Sequence, residues 1–119
     1  MATPKEALNQ LMQTEGAMSA ALVDFNSGML LESVGAGLDM DLAAAGNTEV
    51  VRAKMKTIKS LGIQGGIEDI LITLTGQYHV IRPVEKHDGL FIYYVLDRAR
   101  ANLAMARRKV LEAEGQMTL

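Results

Sequence analysis

The chain predicts an α+β fold: one five-stranded antiparallel sheet of order 2-1-5-4-3, with helices covering its faces. Three observations carry that prediction. Residues 67 to 98 hold three strand-like segments in a row, punctuated by Thr75-Gly76 and by His87-Asp88-Gly89. The last of them, Leu90 to Leu96, is apolar at every position, so it needs cover on both faces and belongs mid-sheet. An earlier strand-like pair is flanked by segments of helical period, giving the order helix, two strands, helix, three strands, helix. A central last strand then pairs with the first hairpin on one side and the meander on the other.

The first helix starts at Thr3 as N-cap. Pro4 takes the first turn, where its missing N–H costs nothing, and Glu6 completes a capping box. Leu8, Leu11 and Met12 share a face, and Gly16 is the expected stop. A hairpin follows, Ala17 to Phe25 and Met29 to Val34, turning at Asn26-Ser27-Gly28. Ala17, Ser19, Ala20 and Ala21 are small, so something packs close to the first arm. Asp39 or Asp41 caps a second helix running to about Leu61, and Gly46-Asn47 is expected to break its start. Val50, Val51, Met55, Ile58 and Leu61 lie on one arc at 100° per residue, with Arg52, Lys56 and Lys59 opposite. Lys54 falls within the apolar arc, where its stem lies over apolar surface. Gly62 to Gly66 forms a loop into the meander, and Pro83 sits near the end of the fourth strand, where a lost ladder donor matters least. The final helix, from about Ala99, stacks Ala99, Leu103, Ala106 and Val110.

At 119 residues the sequence supports one domain, residues 1–119, with a substantial core. A net charge of -2 makes no case for nucleic acid. The absence of cysteine removes disulfides and thiolate chemistry and suits a reducing compartment. The opening residues lack a signal-peptide core, and no apolar run is long enough for a bilayer, so a cytoplasmic protein without membrane association is expected.

Chemistry is scarce. Gly35-Ala36-Gly37-Leu38-Asp39-Met40 follows a strand and opens a helix, like a dinucleotide-binding turn. Met40 stands where that motif needs its third glycine, and the hairpins that follow build no parallel sheet. His79 and His87 have no carboxylate at ligand spacing, Glu68 and Asp69 point to opposite faces of a strand, and no serine sits in a nucleophile elbow. No catalytic residue, cofactor or metal is expected. The basic side at Arg52, Lys56 and Lys59 and the run Arg107-Arg108-Lys109 read first as solvated helix faces. The methionines at 18, 29, 55 and 105 read as core filler.

The third strand, Asp69 to Thr75, stands at a sheet edge. Edges are commonly blunted by Lys, Pro or bulges, and only Asp69 serves that purpose here. A second copy adding antiparallel across a two-fold axis would fuse two sheets. The arc of the second helix is wide enough to face both its own sheet and a partner helix.

Four phrases resemble the roadblock/dynein light-chain family: Gly16-Ala17-Met18-Ser19-Ala20-Ala21-Leu22-Val23-Asp24, Ile67-Glu68-Asp69-Ile70-Leu71-Ile72, Gly89-Leu90-Phe91-Ile92-Tyr93 and Arg100-Ala101-Asn102-Leu103-Ala104. The resemblance runs from about Leu8 to Leu111. It implies a profilin-like sandwich, a homodimer, and a non-catalytic adaptor that binds a small Ras-like GTPase in bacterial signalling or polarity control. Carried onto this sequence, Asp69, Ile70, Leu71, Ile72 and Thr73 become the pairing strand, with Val51, Met55 and Ile58 as the helix contact. Arg52, Lys56 and Lys59 are the candidate partner face. The alternative is a small-molecule-sensing or scaffold domain of the same fold with no GTPase partner, which would need a cavity with a few convergent polar groups.

Overall fold

A computed structural model describes residues 1–119. Its elements are α1 (Pro4–Leu11), β1 (Ala17–Asp24), β2 (Met29–Gly35), α2 (Met40–Ser60), β3 (Ile70–Thr73), β4 (Gln77–Pro83), β5 (Leu90–Asp97) and α3 (Leu103–Gln116). The strands form one antiparallel sheet in the order β2-β1-β5-β4-β3, as the sequence predicts. β5 is central, and Phe91 to Leu96 are all buried.

Strand alternation sends side chains to two separate cores. On one face Ala20, Leu22, Val80, Ile92, Tyr94 and Leu96 pack under α1 and α3. On the other, Ala21, Val23, Ile81, Phe91, Tyr93 and Val95 meet Met40, Ala44 and Val51 of α2. The small residues of β1 admit this double cover: Ser19, Ala20 and Ala21 are wholly buried. Gly35 closes the same corner at φ +88°, where a Cβ would lie 2.3 Å from the Met18 carbonyl oxygen.

The Thr3 capping box forms in full: Thr3 Oγ1 accepts from Glu6 N at 3.1 Å, and Glu6 Oε1 accepts from Thr3 N at 2.9 Å. Hydrogen bonding to the Thr3 backbone N–H, and after it to the Thr3 side chain, holds the Glu6 carboxyl below its usual pKa. The helix stops sooner than expected, at Leu11 with Met12 as C-cap. Gly16 instead turns the chain into β1 at φ +89°, with Ala101 backbone 2.9 Å from where a Cβ would stand.

The other two helices also depart from expectation, for local reasons. α2 runs unbroken through Gly46-Asn47, capped by Asp39 rather than Asp41. Asn47 Nδ2 and Thr48 Oγ1 donate back to Ala43 and Ala44 carbonyls at 2.8 and 2.7 Å, and buried Ala44, Thr48 and Val51 fasten that stretch to the sheet. α3 starts at Leu103, not Ala99. Asp97 holds a turn by accepting from Ala99 N through its side chain and from Arg100 and Ala101 N through its carbonyl; Asn102 then caps the helix, accepting from Met105 N at 3.0 Å. No helix is long and apolar enough to cross a membrane.

Candidate self-association surface

Both sheet edges are uncovered by another strand, but they differ. β2 carries a bulge opposite Leu22/Val23, and its Glu32 pairs with Lys5 of α1 at 3.6 Å. β3 has neither a bulge nor a lysine. Its backbone orientation follows from the ladder: Leu74 N donates to Gln77 O at 2.9 Å, and the register pairs Ile72 with His79 and Ile70 with Ile81. Hydrogen-bonded positions alternate along an antiparallel pair. Residues 70, 72 and 74 therefore face β4, and Leu71 and Thr73 aim their N–H and C=O groups outward.

β3 is shorter than the expected Asp69–Thr75. At its far end Leu74 to Gln77 is the hairpin turn. At its near end the same register would bring Glu68 opposite Pro83, which has no N–H to give. Arg82 Nη1 reaches the Glu68 carbonyl instead, at 3.2 Å. Asp69 thus lies outside the strand. Its carboxylate takes two hydrogen bonds from Arg107 of α3, at 2.9 and 3.0 Å, so it is an internal partner rather than an edge guard.

The apolar arc of α2 divides along its length. Val51 is 2% exposed in the protein's own core. Beyond it the last turns of α2 and the loop that follows leave Met55 48%, Leu61 66% and Ile63 56% exposed, with Ile58 half-buried. Met55, Ile58, Ile63 and Ile67 line a groove of about 540 Å³ with Lys56 and Lys59 at its rim. Met55 and Ile58 therefore remain available to a partner, and Val51 does not. The basic side is divided too. Arg52 is engaged within the fold: it donates to the Asn26 carbonyl at 2.6 Å and the Phe25 carbonyl at 3.2 Å, pairs with Glu49 at 2.9 Å, and lies 5.7 Å from the Phe25 ring centre. Lys56 and Lys59 are free of such ties.

A small polar group that the sequence reading did not assemble occupies the α2 side of the sheet. His79 lies between Gln77 Oε1, 2.8 Å from Nε2, and the Tyr93 hydroxyl, 2.9 Å from Nδ1. Burial lowers the His79 pKa and raises that of Tyr93. One neutral tautomer satisfies both contacts, Nε2–H donating to Gln77 and Nδ1 accepting from Tyr93. His87 is exposed in the β4–β5 turn, and no three His, Asp or Glu side chains converge.

The arrangement, a central last strand with helices on both faces, is the fold of solved Roadblock/LC7 domains. The chain superposes on a Roadblock/LC7 domain from Streptomyces avermitilis with a TM-score of 0.83 at 15% identity, covering 96% of this chain and 93% of that one. It matches Myxococcus xanthus MglB with a TM-score of 0.83 at 18% identity (94% and 89% covered). The gliding protein MglB from Thermus thermophilus gives 0.81 at 18% (96% and 87%). At these identities the likeness is one of fold. No family model matches the sequence, and no curated protein matches it as a relative.

Proposed function

We propose that this chain is a cytoplasmic, non-catalytic adaptor that forms a homodimer and binds a small Ras-like GTPase. The observation that carries the reading is the outward-facing backbone of β3 beside the exposed apolar end of α2. One edge offers ladder donors and acceptors, and the neighbouring helix offers Met55 and Ile58 at 48% exposure and half-burial. Ile70 to Thr73 form the pairing strand of this proposal. The GTPase is the partner implied by the resemblance, and likeness in fold to MglB supports a regulatory role. Lys56 and Lys59 at the groove rim are the candidate contacts; Arg52 is spent on the β1–β2 turn.

Sedimentation at micromolar concentration tests the dimer: about twice the 12.9 kDa monomer mass is expected, and a clean monomer refutes edge pairing. Titration with a bacterial small Ras-like GTPase, loaded in turn with GTP and GDP, tests the partner. Binding in neither nucleotide state removes that half of the proposal.

A further inference from the structure

β3 has four residues and one strand neighbour. The chain entering it, from residue 61 to 69, contains no helix or strand, and a Cβ at Gly62, Gly65 or Gly66 would meet no atom within 4 Å. That segment gives the edge strand little support. Three arginines supply it instead. Arg107 grips Asp69, whose side chain is only 15% exposed, through two parallel bonds at 2.9 and 3.0 Å. Arg82 holds the Glu68 carbonyl at 3.2 Å while pairing with the buried Glu114 of α3, whose second oxygen accepts from Glu85 N at 2.8 Å. At the far end Arg98 donates to the Leu74 carbonyl at 3.1 Å from a seat 5.7 Å from the Tyr78 ring centre. Both ends of β3 are tied by guanidinium groups, and the ties at its entry lead to α3.

We infer that Arg107, Arg82 and Arg98 are positioning residues for strand pairing, and that α3, through Arg107 and Glu114, sets how readily the β3 edge accepts a second copy. The inference rests on the self-association reading above. An edge already held extended loses less freedom when a partner strand arrives, so the splint adds to affinity without touching the partner. The two-pronged geometry at Asp69 fixes direction as well as distance, which a single ammonium does not. A ligand that drew Arg107 away from Asp69 would loosen the edge, which couples the α3 surface to association.

The test compares the full chain with Arg107→Ala, Asp69→Ala, the double variant and Arg107→Lys. Two quantities are read: the dissociation constant of the dimer, and amide hydrogen exchange at Ile70, Ile72 and Leu74 in dilute, monomeric protein. Each single alanine should weaken association by about tenfold, equivalent to about 1.4 kcal/mol, and speed exchange at those three amides ahead of β1 and β5. The double variant should be no worse than either single one, because one interaction is lost in all three. Arg107→Lys should fall between. Unchanged association together with unchanged exchange in Arg107→Ala overturns the inference, as does exchange that rises equally across the sheet. If the unaltered chain proves monomeric, the self-association reading fails, and exchange at residues 70 to 74 alone decides the splint.

Discussion

The Tyr93 hydroxyl lies 2.9 Å from His79 Nδ1, and the two rings meet edge to face with centroids 5.4 Å apart. Burial depresses the histidine's pKa below 6.5, so the unfolded chain takes up a proton at a pH where the folded one does not. The stabilisation is complete above the unfolded pKa and declines as pH falls from about 6.5 toward the folded value. Melting temperature should therefore drop across that window, and His79→Gln should flatten the drop. Parallel profiles for the unaltered chain and His79→Gln would refute this assignment.

Proline at the two outward-facing positions of β3 separates pairing from folding. Thr73 is exposed and Leu71 half-buried, and neither N–H belongs to the β4 ladder. Thr73→Pro should leave the monomer folded while removing a donor from the proposed interface. Leu71→Pro should do the same and also lose some packing under α3. Circular dichroism and sedimentation check both; an intact dimer in Thr73→Pro would move the interface elsewhere.

Glu114 and Arg82 form the most sheltered ion pair in the molecule, with side chains 7% and 14% exposed. Glu114→Ala leaves a guanidinium without its partner and the Glu85 N–H without its acceptor. Such losses lower stability by about 3–5 kcal/mol. Denaturant unfolding measures it, and a change below about 1 kcal/mol would show that water replaces the carboxylate.

Two glycines of similar backbone angle should respond differently. Gly62 at φ +71° has open space around it, so Gly62→Ala carries only the left-handed penalty of about 1–2 kcal/mol. Gly35→Ala adds a collision with the Met18 carbonyl to the same penalty and should destabilise by at least about 3 kcal/mol. Equal effects in thermal melts would contradict the packing at the β1–β2 corner.

Reversing charge on α2 distinguishes structural from partner contacts. Arg52→Glu should destabilise by about 1 kcal/mol through loss of the Phe25 and Asn26 bonds. Lys56→Glu with Lys59→Glu should leave stability unchanged and weaken GTPase binding. Unaltered affinity in that double variant would exclude the groove rim as the contact.

The sheet order was legible because β5 is apolar throughout and β1 unusually small, which together force a two-sided centre. The cap at Thr3 was legible, and that of α2 narrowed to Asp39 or Asp41, because caps depend on neighbours three residues away. At two candidate site residues the reading went astray because a distant residue intervened. Asp69 looked like an edge guard until Arg107, 38 positions later, claimed it. Arg52 looked free until the carbonyls of the β1–β2 turn took its guanidinium. Gly46 and Asn47 looked like a break because propensity says nothing of the burial at Ala44, Thr48 and Val51. The His79–Tyr93 pair left a trace in the alternation of β4 and β5, but only their register makes the rings adjacent.

The centre of this sheet joins an early strand to the final one: β1 pairs with β5, Ala17 opposite Leu96 and Asp24 opposite Leu90. A ribosome delivers the N-terminal end first, so β1, β2 and α2 emerge long before the strand that seals them. Both cores stay open at least until residues 90 to 97 have cleared the exit tunnel, because Ile92, Tyr94 and Leu96 belong to one and Phe91, Tyr93 and Val95 to the other. A nascent chain stalled short of Leu90 would thus expose two unsealed apolar faces to the chaperones; release of β5 would close the α2 face, while the α1 face would wait for Ala106, Val110 and Ala113 of α3.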